Sequence, residues 1–150
     1  MKLKLSIFFA LFMIAFGLQA QDFLELAKHD LNSEKRSIVA KSINISQDAD
    51  AQFWNTYNDM EAELNVLADK RIAIIKKFAK NYATLDNDIA GELISTYFSI
   101  ISQRNKINQK YFKKMSKVIS KKEAARFSQI MAQIQLLIDV QLAAEVPLIE

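Results

Sequence analysis

The chain has 150 residues, 51% hydrophobic and 25% charged, with two Gly, one Pro and no Cys, a balance that excludes collagen-like, disulfide-stapled and disordered polypeptides. Sheets joined by frequent turns are excluded as well, because only Gly17, Gly91 and Pro147 are present to make them; the expected fold class is all-α. The formal charge of +3 falls to +1 when Lys2 and Lys4 are set aside with a leader, 18 bases against 17 acids, and implies no partner by itself.

Residues 1–20 have the layout of a secretory signal peptide: Met-Lys-Leu-Lys, an apolar run from Leu5 to Leu18 broken by Ser6 and Gly17, then Gln19-Ala20. Cleavage is expected after Ala20, since the run is shorter than the roughly 20 apolar residues a spanning helix needs. The absence of Cys excludes a lipid-attached lipoprotein. The expected product is one all-helical domain over residues 21–150, periplasmic in a Gram-negative cell.

Between Gln21 and Ile43 the apolar positions Phe23, Leu26, Ala27, Leu31, Ile38 and Val39 predict one or two short helices, interrupted by the polar stretch Asn32 to Arg36. From Ser46 to about Tyr82, Phe53, Tyr57, Met60, Leu64, Leu67, Arg71, Ile74 and Phe78 alternate in steps of four and three, a heptad seam. At about 1.5 Å per residue this segment spans roughly 55 Å and needs a long helix beside it. Leu85 to Asp88 forms a turn, with Asp86 or Asp88 as helix cap.

A third helix carries Ile89, Leu93, Tyr97, Ile100, Arg104, Ile107, Tyr111, Met115 and Val118, and the short connection sets it antiparallel to its predecessor in a long hairpin. Ser120-Lys121-Lys122-Glu123 has capping-box spacing, in which Ser accepts the Glu123 N–H and Glu accepts the Ser N–H. The fourth helix then runs through Phe127, Met131, Ile134, Ile138 and Leu142 to Pro147, which cannot continue it. The expected architecture is a long antiparallel hairpin with additional N- and C-terminal helices.

The inventory of reactive groups is small. His29 is the only histidine and there is no cysteine, so a triad or Cys-His pair would rest on one residue near the mature N-terminus. Met60, Met115 and Met131 fall on apolar stripes and read as core, and no glycine-rich loop exists to hold a phosphate. The acids Asp48, Asp50, Asp59, Glu61, Glu63 and Asp69 precede Lys70, the first base of their helix, as the helix dipole favours. These observations argue against an enzyme and for no metal or other cofactor.

Charge is segregated along the chain: Arg104 to Arg126 holds nine bases and one acid, Glu123. Lys106, Lys110, Lys113 and Lys117 recur at helical spacing beside Tyr111 and Phe112, and these six residues are the candidate client- or partner-binding set. One reading is a basic, partly apolar surface for anionic or unfolded partners; the other is a solvated face balanced by the acidic half of the preceding helix. If the hairpin turns near residues 83–85, Arg104 lies level with Leu64, and Glu61 or Glu63 is its expected partner. Trp54 reads either as core or as a partner anchor.

Three segments carry a family resemblance. Ile119-Ser120-Lys121-Lys122-Glu123 is a conservative version of a Leu-Thr-x-x-Gln motif, Ile45-Ser46-Gln47-Asp48-Ala49 keeps its first half, and Leu85-Asp86-Asn87-Asp88-Ile89 keeps less. On these the chain resembles the Spy/CpxP group of periplasmic stress proteins. Over residues 40–150 it is also similar to exported bacterial proteins of this size that carry a Phe-Trp-x-x-Tyr segment, here Phe53 to Tyr57, and a terminal stretch like Arg126 to Leu148.

The resemblance implies a four-helix hairpin protein that forms a homodimer and holds unfolded clients on a basic, partly apolar face, or senses envelope stress. The resulting expectation is an ATP-independent periplasmic chaperone-like or envelope-stress adaptor protein that binds unfolded or partner proteins. The rival is a structural or regulatory module that recognises one dedicated folded protein. Nucleic acid is not an expected physiological partner, while anionic envelope lipids offer the lysines a weak electrostatic match.

Overall fold

The computed structural model describes residues 33–148. The leader expected over residues 1–20, His29 and the apolar positions from Phe23 to Leu31 lie outside the described residues. Backbone contacts divide the chain into two units, Met1–Ile38 and Val39–Glu150. The described part of the first unit is helical.

The fold is all-α, with no strand among the described residues. A helix covers 33–42 (α1), followed by α2 (Asp50–Asn81), a 3-10 turn (Tyr82–Thr84), α3 (Asn87–Val118) and α4 (Lys121–Glu145). The polar stretch from Ser33 to Arg36, expected to interrupt a helix, is itself helical. Nothing in it breaks a helix, and Ser33, Glu34 and Arg36 are exposed while Lys35 is buried.

The α2 helix begins four residues later than the heptad seam suggested, because 47–49 form a turn closed by the Ala49 N–H donating to Ser46 O at 3.0 Å. Its N-cap, Ala49, offers no side-chain acceptor, but Asp50 supplies a negative charge in the first turn. The α3 helix has a true cap, since the Asp86 carboxylate accepts the Ile89 N–H at 2.8 Å. Of the two candidate aspartates, Asp86 is therefore the one that caps.

Ser120 caps α4 by accepting the Glu123 N–H at 3.2 Å. The second half of the expected capping box is replaced: Glu123 Oε2 accepts the backbone N–H of Asn44, at 3.4 Å. That bond ties the segment after α1 to the start of α4. At the other end, Val146 is extended and stops α4 just before Pro147.

Within the second unit, α2 and α3 meet in opposite senses. Partners on α2 rise from Glu63 to Lys70 to Lys77 while those on α3 fall from Lys110 to Gln103 to Glu92. The core gathers Val39, Ile43, Phe53, Tyr57, Met60, Tyr111, Met115, Ala124, Phe127 and Met131. Phe127 of α4 packs edge-on against Phe53 and Tyr57 of α2, with centroids 5.7 and 6.3 Å apart. Met60, Met115 and Met131 are all buried, as their stripes implied.

The observed register differs from the expected one. The 3-10 turn continues the helical path of α2 by almost a turn, and extended Leu85 and Asp86 then carry the chain over, which moves the reversal point towards α3. Lys70 consequently lies opposite Gln103, and Arg104 is near Arg71 rather than level with Leu64.

Candidate functional site

The four lysines of the candidate set are all exposed on α3. Lys106, Lys113 and Lys117 make no ion pair among the described residues, so their charges face solvent. Lys110 is different: its Nζ donates to Glu63 Oε1 of α2 at 2.5 Å and lies 5.2 Å from the centroid of the Tyr111 ring. Half-exposed Glu63 thus draws one lysine out of the stripe.

Tyr111 is not a surface residue. It is 1% exposed, and its hydroxyl donates to the same Glu63 oxygen at 2.8 Å while Lys114 covers the ring at 4.7 Å. Its place in the binding set is corrected: the ring is core, on the stripe with Leu93, Ile100 and Met115. The Lys110 and Tyr111 hydrogen bonds hold the Glu63 carboxyl below the usual carboxylate range. Burial, and then the bond to Glu63, push the Tyr111 phenol up.

Phe112 is exposed but lies on the other flank of α3, where it lines a cleft with Met60, Asn108, Phe127, Ser128 and Met131. The cleft has a volume of about 40 Å³, room for little more than a water molecule. Phe112 ends a second seam on α3, in steps of four and three through Ile94, Phe98, Ile101, Asn105 and Asn108. At Asn108 and Phe112 this seam meets α4, whereas Ile94, Phe98 and Ile101 stay exposed, Phe98 at 62%. The sequence contained this signal, masked by the stronger seam one residue away.

A second set of exposed apolar side chains lies on α4: Leu136, Leu137 and Val140, each at least 60% exposed. With Gln133 and Ala144, Leu137 and Val140 form a heptad strip without a charge, distinct from the strip of Phe127, Met131 and Ile134 that enters the core; Ile130, one step before it, packs against that core.

No comparison returned a match, whether with family models, curated proteins or solved structures. The likeness to the Spy/CpxP group accordingly rests on the motif residues alone.

A separate polar centre joins all three long helices. Arg71 of α2 donates from Nη1 to Asp139 Oδ1 of α4, and Gln135 Nε2 donates to the same oxygen at 2.8 Å. The Arg71 guanidinium carbon also lies 5.9 Å from the Tyr97 ring centroid. Arg104 adds a second guanidinium whose Nε is buried with no hydrogen-bond partner. Burial lowers the Arg104 pKa; Asp139 works the other way, and Arg71 adds to the lowering.

This corrects the expected Arg104 ion pair. Glu63 is committed to Lys110 and Tyr111, and the charge nearest to balancing Arg104 belongs to Asp139, a residue no sequence argument brought to this place. Two guanidinium groups therefore share one carboxylate. Among the described residues no cluster of His, Asp or Glu has the makeup of a metal site, and no helix is long and apolar enough to cross a membrane.

Proposed function

We propose that this is a periplasmic ATP-independent chaperone-like or envelope-stress adaptor protein, related to the Spy/CpxP group, that binds unfolded or partner proteins reversibly and carries out no catalysis. One observation carries the reading: a single 32-residue helix, α3, exposes unpaired Lys106, Lys113 and Lys117 on one flank and Ile94, Phe98 and Ile101 on another. Lysines attract anionic early states of a client over a distance, and apolar side chains then give short-range, non-specific contact. The same lysines offer anionic envelope lipids a weaker, salt-sensitive contact.

The test is light scattering of a chemically unfolded, aggregation-prone protein diluted into stoichiometric residues 21–150. Suppression that weakens between low and moderate salt, and is lost in a Lys106, Lys113 and Lys117 to Gln variant of unchanged helicity, supports the reading. Absence of suppression at both salts overturns it.

A homodimer belongs to the same proposal and is assigned to the outer face of α4. Leu137 and Val140 recur there at helical spacing with no charge on the strip to repel a twin. Sedimentation equilibrium should show a dimer that Leu137→Asp abolishes. If the protein is monomeric, that face favours the rival reading, a module docking one dedicated folded protein, which a stoichiometric pull-down would show.

A further inference from the structure

The start of α4 carries charge of the wrong sign for its own dipole. In α2 an acid, Asp50, stands in the first turn and Lys80 in the last, and in α3 Asp88 and Lys117 take the same places, the order that the partial charges of a helix favour. In α4 the first two residues are Lys121 and Lys122, Arg126 follows in the second turn, and the last turn holds no base. All three bases are exposed and make no ion pair among the described residues. Glu123, the one acid beside them, accepts the Asn44 N–H, and Asp50, further along the segment that Asn44 belongs to, accepts the Trp54 indole N–H at 3.0 Å. The fold thus gains no ion pair from Lys121 and Lys122 and loses stability to the dipole.

The two-residue link of Ile119 and Ser120 sets these bases beside the last turns of α3, which add exposed Lys113, Lys114 and Lys117. From Lys113 to Arg126 there are six bases and one acid, a local net charge of +5. No large apolar side chain in that stretch is exposed: Met115 is buried, and Val118 and Ile119 are half-buried. The corner therefore offers charge without the aromatic or aliphatic anchors on which protein interfaces depend. The cleft lined by Phe112 and Phe127, about 40 Å³ in volume, is far below the several hundred Å³ typical of small-molecule sites. Five of the six bases are lysines, hydrated point charges that need no bidentate partner. Roughly four to eight such bases clustered on a helix surface is the composition that draws anionic lipid headgroups.

Resting on the periplasmic location proposed above, we propose that Lys121, Lys122 and Arg126, with Lys117 across the link, form a docking surface for a membrane rich in anionic lipid headgroups. Charge alone holds the protein there, so the attachment is peripheral and reversible. Leu137 lies about three turns beyond Arg126 on α4, and Ile101 about three turns before Lys113 on α3. The faces assigned to the twin and to clients are thereby left clear of the lipid.

The experiment is co-sedimentation of the mature protein with vesicles of equal parts phosphatidylglycerol and phosphatidylcholine, and with vesicles of phosphatidylcholine alone. Wild type is expected on the anionic vesicles only, and moderate salt should release it. Changing Lys121, Lys122 and Arg126 together to Gln should lower the partition about a hundredfold, at about fivefold for each base. Helicity should be kept, and Tm should be unchanged or raised, because two charges that oppose the α4 dipole are gone. Aggregation suppression by that variant should stay at the wild-type level, since Lys106, Lys113 and Lys117 are intact.

Equal partition onto both vesicle types, partition onto neither, or a triple variant that partitions as wild type does overturns the docking surface and leaves the client-binding role standing. A fall in Tm of the variant also overturns it, since the bases would then serve the fold. Tighter binding of poly-Glu than of the anionic vesicles at matched charge assigns the corner to acidic polypeptides and overturns it likewise. Vesicle binding as expected, without suppression of aggregation, overturns the client-binding role and supports the docking surface.

Discussion

Tyr111 donates its phenolic hydrogen to Glu63 across the contact between α2 and α3, at 2.8 Å, and Lys110 reaches the same carboxylate oxygen at 2.5 Å. This triad turns a surface lysine, a core tyrosine and a half-exposed acid into one inter-helix clamp. Glu63 is held below its ordinary value of 4.5, first by the Lys110 bond and then by the Tyr111 bond. A carboxyl lowered on folding contributes stability above its unfolded pKa and loses it as pH falls through the folded value. Glu63→Gln should therefore be less stable than wild type at pH 7, with the gap in Tm closing as pH is taken below about 4.5.

Burial and the Glu63 bond raise the Tyr111 pKa above its ordinary value of 10.0. A group raised on folding keeps its contribution below the unfolded pKa and loses it as pH rises, because the unfolded chain then ionises first. Wild type should lose stability above pH 10 more steeply than Tyr111→Phe. At neutral pH that variant should cost about 1 kcal/mol, the loss of one hydrogen bond to a charged acceptor that keeps its lysine. Denaturant titrations at pH 7 and above pH 10 check both parts.

The arginine centre makes opposite predictions for neighbouring residues. Arg104→Met should leave the protein as stable or raise it by about 1 kcal/mol, since it removes an unsatisfied guanidinium and its repulsion with Arg71. Asp139→Asn should cost about 1–2 kcal/mol, between surface and buried ion pairs, because both guanidinium groups lose their counter-charge. A thermal melt of the two variants reads the difference in sign directly.

Asp86→Ala should cost about 1 kcal/mol by freeing the Ile89 N–H at the start of α3. Asp88→Ala removes only a charge in the first turn and should cost a few tenths of a kcal/mol at low salt. The ratio of the two in denaturant titration separates a hydrogen-bonded cap from a dipole effect.

Trp54 and Phe53 are adjacent but unequal. Phe53 is fully buried against Phe127, whereas Trp54 is half-buried, edge-on to Phe53 and Tyr57, with its indole N–H on Asp50 at 3.0 Å. Phe53→Ala should cost about 3–5 kcal/mol, and Trp54→Ala about 1–2 kcal/mol because a smaller share of its ring is removed from water. Chemical denaturation resolves the pair.

The helices were legible because two apolar seams alternate in steps of four and three, and turn formers separate them. The α4 cap was legible from Ser120 and Glu123, although the sequence could not show that Asn44 would compete for the Glu123 carboxylate. Arg104 was misplaced for a different reason. Its partner depends on where the chain reverses, and a 3-10 turn counts towards helix length in a way that spacing does not display. Spacing put Tyr111 on the apolar stripe, where its ring is indeed buried, and it was joined to the binding set only because it sits among lysines in sequence. The exposed face of α4 was hidden because Leu136, Leu137 and Val140 add apolar positions on every side, and periodicity cannot tell which of two seams is covered.

The links between the long helices are brief: Tyr82 to Asp86 joins α2 to α3, and Ile119 with Ser120 joins α3 to α4. Chain closures that bring such neighbours together lose little entropy, so the search for the native arrangement is short. Collapse of this bundle should be a matter of milliseconds or less, as for helical domains with local topology. Phe53, Tyr57 and Phe127 are thus returned to cover quickly, which shortens the time for which unfolded copies expose these rings to one another.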